Sequence, residues 1–217
     1  MSSYKNFIDN LEKSVQRANR NFREIDLIAV SKKKPPSDIQ SVIDEGHMSF
    51  GENQIQEIER KWPNLKKINS NIQLHFIGNI QSRKVGSIHE NCEVIHSLDR
   101  MKVVKSFAEV ENLKKVKRKY FIQVNTGNEG QKSGVMLADA DKFISECLET
   151  DSLNIVGLMC IPPFSEDPKK HFLTLGNIAK NFNLSSLSMG MSNDFEIALE
   201  CGATHIRVGT KIFGERN

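Results

Sequence analysis

The residue in this chain with the most chemistry available to it is a lysine that closes a buried strand. Leu27-Ile28-Ala29-Val30-Ser31-Lys32 is a short apolar run with β-branched members, the pattern of a strand covered on both faces, and it stops at an amine. An amine held at a strand end and partly desolvated attacks carbonyls. Lys33, Lys34, Pro35 and Pro36 then turn the chain away, and three consecutive lysines also read as a solvated basic loop. A second constellation lies near the C-terminus. Ser188-Met189-Gly190-Met191-Ser192 runs from a strand to a predicted helix start, where unpaired N–H groups and the helix dipole favour an anion. Gly209-Thr210 follows the last strand. Taken singly, Ser192 reads as a helix cap and Gly209 as a turn. On adjacent units they read as an anion site.

The elements that must position these groups alternate regularly. Tyr4, Phe7, Ile8, Leu11, Val15, Ala18 and Phe22 recur at helical spacing and predict an opening helix. Strands are predicted at 27–32, 48–53, 72–77, 92–97, 120–125, 155–160, 184–189 and 205–208. Helical patterns separate them: one from Pro36 to a stop at Gly46, one through Ile55, Ile58 and Trp62, a short one over 81–88, and one capped by Asp99. Others run over 137–148, through Phe172 to Phe182, and from a Ser192 cap to Gly202, leaving the tail Gly209–Asn217. Eight strands in βα alternation predict an α/β chain with a parallel sheet, closed as a single-domain (β/α)8 TIM barrel over residues 1–217 with an extra N-terminal helix. A length of 217 residues suits the lower end of that fold. A doubly wound open sheet is the alternative, but no Gly-rich dinucleotide fingerprint follows any strand.

In a barrel the C-terminal strand ends carry function. Here those ends hold Lys32, Glu52, Asn53, Gly78, Gln81, Asn125, Met159, Pro162, Ser192, Arg207, Gly209 and Thr210. An amine after the first strand faces, across the mouth, an anion site after the seventh and eighth. A phosphorylated aldehyde would bridge them, and the cofactor of that description is pyridoxal 5′-phosphate. Its phosphate is expected on the Ser192 and Thr210 loops and its aldehyde on Lys32 as a Schiff base.

Composition narrows the setting. The net charge of +3 and a single basic run at 114–119, read as a solvated helix end, do not argue for nucleic acid. Four cysteines without a CxxC pair fit a reducing cytosol rather than a disulfide frame or zinc site. No stretch has the length to span a bilayer and the N-terminus lacks a signal-type apolar core, so a cytoplasmic location without a membrane partner is expected.

Several segments together resemble the pyridoxal-phosphate homeostasis proteins of the YggS/PROSC type: Ala29-Val30-Ser31-Lys32 with Lys34-Pro35, Phe50-Gly51-Glu52-Asn53, His75-Phe76-Ile77-Gly78, Gln81 with Lys84, Lys132-Ser133-Gly134 and Gly157-Leu158-Met159. The resemblance continues through Leu187-Ser188-Met189-Gly190-Met191-Ser192, Asp194, Arg207-Val208-Gly209-Thr210 and Ile212-Phe213-Gly214. Arg83, Asn79 and Asn193 depart from the pattern where asparagine, proline and aspartate are common. The resemblance implies a barrel like the N-terminal domain of alanine racemase, with the cofactor on Lys32 as a covalent aldimine. It implies Asn53, Met191, Ser192, Arg207, Gly209 and Thr210 as further binding residues. Arg207 would face the pyridine ring. Arginine keeps its proton, so it would donate to the ring nitrogen and weaken the ring as an electron sink.

The expectation is a carrier and buffer of pyridoxal 5′-phosphate that regulates vitamin B6 and amino-acid balance without turnover, a monomer handing the cofactor to PLP-dependent apoenzymes. A PLP-dependent amino-acid racemase is the alternative. It needs a second base opposite Lys32, and the only tyrosines, Tyr4 and Tyr120, are predicted away from the mouth. A phosphosugar isomerase or aldolase using Lys32 without the cofactor is a third class, and it would be colourless.

Overall fold

The computed structural model describes residues 2–150 and 153–215. A first helix, α1 (Ser3–Arg17), is capped by the Ser2 hydroxyl and buries Phe7, Leu11 and Val15. It stops short of the predicted Phe22, because Asn19 takes a left-handed φ of 53° and Phe22 opens a separate 3-10 turn. The chain then runs β1 (Asp26–Val30), α2 (Pro36–Asp44), β2 (Ser49–Glu52), α3 (Ile55–Ile68), β3 (Gln73–Phe76), a 3-10 turn, α4 (Val85–Asn91), β4 (Val94–Leu98), α5 (Met101–Lys114) and β5 (Lys119–Asn125). It continues β6 (Val135–Met136), α6 (Leu137–Leu148), β7 (Asn154–Met159), α7 (Pro168–Asn181), β8 (Ser186–Met191), α8 (Phe195–Glu200), β9 (His205–Val208) and α9 (Thr210–Phe213). Arg216 and Asn217 of the predicted tail lie outside the described residues.

Every strand pairing is parallel. β1 lies between β2 and β9, and β4 pairs with β5, which closes β1-β2-β3-β4-β5-β7-β8-β9 into an eight-stranded barrel. The expected (β/α)8 architecture and its opening helix are therefore present. The two-residue β6 is an addition outside the ring, paired to the end of β5 and too short to leave a periodic signal.

The strands read as continuous apolar runs because both faces are covered. Outward residues such as Leu27, Ala29, Phe50, Leu74 and Phe76 pack with Ile39, Ile58, Trp62, Phe107 and Phe172 of the helices, each large side chain contributing about 1.5–3 kcal/mol on burial. The barrel interior is different. It has a small apolar cluster of Val94, Phe121 and Met159 beside the buried polar side chains of His75, His96, Ser188 and Arg207.

Three local expectations are corrected. The seventh barrel strand begins two residues after the predicted Leu184, because Leu184 closes α7: Asn183 turns left-handed at φ 55° and the Leu184 amide donates to the Ala179 carbonyl at 2.9 Å. Asp99 is not the cap of α5. Arg100 occupies that position in extended conformation, and the Asp99 carboxylate pairs with its guanidinium at 2.8 Å. Ser192 is likewise not the cap of α8, which begins at Phe195 with Asp194 in the cap position.

Candidate functional site

The three lysines after β1 have different surroundings. Lys33 is exposed, carries a left-handed φ of 61° and donates its amide to the Glu57 carboxylate at 2.7 Å. Lys34 reaches across to the C-terminal segment, its amine donating to the carbonyls of Phe213, Gly214 and Glu215 at 3.0, 3.2 and 2.9 Å. Lys32, partly buried, is the one on the inward parity of β1, the parity of Asp26, Ile28 and Val30.

What fixes this turn is a buried ionic cluster behind the strand, which the strand-end pattern does not foretell. Ser31 donates its hydroxyl to Glu52 Oε1 at 2.8 Å, and the Trp62 indole donates to the same oxygen at 3.2 Å. The Lys61 amine, almost wholly buried, lies 2.6 Å from Glu52 and 2.8 Å from Glu57 and donates to the Ser31 carbonyl at 3.0 Å. Burial pushes the Glu52 carboxyl up, against the opposing pull of Lys61, Ser31 and Trp62. Glu52 therefore faces helix α3, not the barrel mouth that its strand-end position suggests. The signal was present in the Glu57–Lys61 spacing of one helical turn, next to the Trp62 that marks the apolar face.

Asn53 leaves β2 beside the third unit. Gly78 is required there by contact: a Cβ on it would lie 2.0 Å from the Asn53 carbonyl oxygen. Asn53 lines a cavity of about 380 Å³ with Asn79, Gln81 and Lys84. Neither Lys32 nor Ser192 lines it, and its apolar walls, Ile55, Phe76 and Ile88, belong to the layer between the strands and helices α3 and α4.

On the opposite side the structure brings the two predicted hydroxyls together, Thr210 Oγ1 donating to Ser192 Oγ at 3.0 Å. The Met191 amide is turned inward to the Asp194 carboxylate at 2.5 Å, and Gly190, at φ 92°, makes that turn possible. Gly209 precedes α9 and its carbonyl accepts from the amides of Ile212 and Phe213. At this rim the structure pairs the two hydroxyls beside a turned backbone and does not place Ser192 as a helix cap.

Arg207 lies on β9, beside β8 and the end of β7. Its guanidinium is buried and donates to Ser188 Oγ at 2.6 Å and to the Cys160 carbonyl, just past β7, at 3.0 Å. Burial lowers its pKa, yet arginine remains a donor. An amine at the β1 exit, a guanidinium fixed in the barrel interior and a hydroxyl pair at the exits of β8 and β9 form a donor set that fits a phosphorylated aldehyde with a basic ring nitrogen. Both tyrosines are committed elsewhere: Tyr4 contacts His47 at 3.2 Å, and Tyr120 faces outward to Glu111 at 2.9 Å.

Residues 4–217 match the family model described as alanine racemase, N-terminal domain. The chain is 34% identical to the pyridoxal phosphate homeostasis protein of Aquifex aeolicus, over 96% of this chain and 95% of that protein. It is 33% identical to the protein of the same name from Escherichia coli strain K12, over 96% and 93%. Among solved structures it is similar to PipY of Synechococcus elongatus with PLP bound, with a TM-score of 0.81 and 28% identity, covering 94% of this chain and 99% of that one.

Proposed function

The chain belongs to the alanine racemase N-terminal domain family and, within it, to the pyridoxal phosphate homeostasis proteins, and we propose from that premise how its single barrel domain holds and releases the cofactor. It binds pyridoxal 5′-phosphate and serves vitamin B6 homeostasis. Lys32 would hold the aldehyde carbon covalently, its amine replacing the carbonyl oxygen, which leaves as water. Ser192 and Thr210, with the backbone around Met191 and Gly209, hold the phosphate. Arg207 donates to the ring nitrogen, and Asn53 borders the ring from the β2 side. The observation that carries this assignment is the distribution of the donor set: an amine at the β1 exit, a buried guanidinium inside, and paired hydroxyls at the exits of β8 and β9.

When bound, the cofactor would supply electron withdrawal toward an attached amino acid, and the chain's own groups oppose that. A donor at the ring nitrogen leaves it unprotonated. The two tyrosines are engaged at positions away from Lys32, so neither supplies a second base. The protein acts as a monomeric carrier that takes up the cofactor and passes it to apoenzymes that depend on it, without nucleic acid or membrane. Among the described residues no helix is long and apolar enough to cross a membrane. A missing general base typically lowers a rate by about 10²–10⁴.

Two measurements test this. The purified protein loaded with pyridoxal 5′-phosphate should absorb near the visible, the band should vanish in Lys32→Ala, and it should persist in Lys33→Ala. Incubation with L-alanine in D2O should then show no Lys32-dependent loss of the α-proton at ordinary enzyme rates. A label fixed by borohydride on Lys33 or Lys34 would overturn the assignment of Lys32, and rapid exchange would make the protein an enzyme.

A further inference from the structure

The barrel interior contains a continuous file of polar side chains that the cofactor assignment does not use. Arg207 Nη1 meets Ser188 Oγ at 2.6 Å. Ser188 Oγ meets His96 Nδ1 at 2.9 Å. His96 Nε2 meets His75 Nδ1 at 2.9 Å. His75 Nε2 meets Ser49 Oγ at 3.0 Å and lies 3.8 Å from the Asp26 carboxylate. Ser188, His96 and His75 are fully buried. The file begins at the guanidinium near the mouth and ends at Ser49 and Asp26, the first residues of β2 and β1, at the opposite end of the barrel.

Its direction follows from its ends. Arginine only donates and an ionised carboxylate only accepts. Ser188 accepts from Arg207, so its own proton goes to His96 Nδ1. His96 then carries its proton on Nε2 and donates to His75 Nδ1. His75 in turn carries its proton on Nε2 and donates to the Ser49 hydroxyl at 3.0 Å, while the Asp26 carboxylate, 3.8 Å away, lies beyond hydrogen-bond reach and acts on this proton only through its charge. Each ring nitrogen then has one role, and the Ser188 hydroxyl accepts once and donates once. The reverse order would turn an unprotonated His75 nitrogen toward the Asp26 carboxylate and leave the Ser188 proton outside the file. Neutral imidazoles are required throughout, and burial lowers the pKa of both rings, His75 to about 4 and His96 well below its usual value. His96 is further fixed by stacking on Phe121, with ring centroids 4.4 Å apart and planes within 10°.

We propose that Ser188, His96 and His75 are positioning residues: a one-way hydrogen-bonded file, anchored at Ser49 and Asp26, that holds the Arg207 guanidinium in one orientation at the base of the mouth. The file cannot relay a proton to the cofactor, since reversal would need a neutral arginine. Its consequence for the cofactor, a ring nitrogen that meets a fixed donor, rests on the pyridoxal phosphate reading. The direction of the file does not.

The test begins with protein free of cofactor and labelled with 15N-histidine. Both His75 and His96 should be neutral Nε2–H tautomers at pH 7, with Nδ1 in the unprotonated range. An Nδ1–H tautomer or an imidazolium at either position would overturn the file. A second arm follows the Arg207 side-chain nitrogens, which should be resolved in the unmodified protein and averaged by exchange in Ser188→Ala. Unchanged Arg207 signals in folded Ser188→Ala would refute the positioning role. A third arm titrates 15N-labelled pyridoxal 5′-phosphate. In Ser188→Ala the ring-nitrogen signal should shift and affinity should fall about tenfold or more. An unmoved ring-nitrogen signal in a variant that still binds would sever the file from the cofactor. Failure of the unmodified protein to bind would refute the cofactor reading, and the first two arms would still decide whether the file exists.

Discussion

Lowering the pH from 7.5 to 5 should remove about 2 kcal/mol of stability through His75 alone. Burial drives its pKa from 6.5 to about 4. Asp26 opposes that shift, while His205, Lys119 and His47 add to it. The sign follows from where the proton binds. With the folded value below the unfolded one, the unfolded state binds more protons between pH 6.5 and about 4. The stabilisation is complete above 6.5, declines as pH falls through the window and levels off below about 4. The slope approaches 1.4 kcal/mol per pH unit, and the drop from 6.5 to 5 spans about 1.5 units, which gives the figure of about 2. Against a total stability of about 5–15 kcal/mol that is a large share. His96 acts in the same direction. The assay is urea unfolding at pH 7.5, 6 and 5 for the unmodified protein and His75→Gln. Glutamine keeps an acceptor for His96 and a donor for Ser49 but does not titrate. The variant should be the less stable at pH 7.5, and the gap should close by about 2 kcal/mol at pH 5. Carboxylates titrating in the same range are common to both proteins and cancel in the difference. Parallel stability curves would refute the reasoning.

Two further outcomes are expected. Ser192→Ala and Thr210→Ala should each weaken pyridoxal 5′-phosphate binding about tenfold or more, since a hydrogen bond to a charged group is worth about 1.5–3 kcal/mol; equal affinity for pyridoxal and its phosphate, measured by fluorescence titration, would remove the phosphate site. Glu52→Ala should destabilise the fold by about 1–3 kcal/mol, since the Lys61 amine keeps Glu57 but loses its nearer partner while Ser31 and Trp62 lose their acceptor, whereas Glu52→Gln with Lys61→Met should lose less; equal chemical-denaturation midpoints for the two variants would show that the cluster is not a coupled pair.

The barrel was legible because its strands are short, apolar and regularly spaced by helical patterns, a signal that both covered faces impose. The strand-end place of Lys32 was legible for the same reason: it interrupts an apolar run at its end. Element ends were less so. Leu184 belongs by pattern to a strand, but the left-handed Asn183 places it at the α7 terminus. Ser192 and Asp99 are good capping residues displaced from the cap by two residues and one, a difference that backbone geometry decides. The polar interior was hidden more deeply. His75 and His96 sit singly within apolar runs, and nothing in either run says that the two rings meet at 2.9 Å. That contact depends on the register of β3 against β4, which is set by closure of the whole barrel.

The two polar networks approach the mouth from opposite sides of the sheet. Glu52, Glu57 and Lys61 lie between β2 and α3 and hold the backbone of the lysine turn through Ser31 and Lys33. The histidine file lies inside the barrel and holds Arg207. They have no residue in common, and each anchors a different part of the proposed cofactor contact: the outer one the amine that bonds the aldehyde, the inner one the donor that faces the ring. A loop rich in lysines would on its own be mobile, and a buried arginine on its own would lose hydration without a fixed orientation. Each network removes that freedom from a group whose chemistry depends on direction. The hydroxyls of Ser192 and Thr210, by contrast, pair with each other at an exposed rim. On the proposed reading the phosphate-binding end is thus the least buttressed of the three, which suits uptake and release of the ligand.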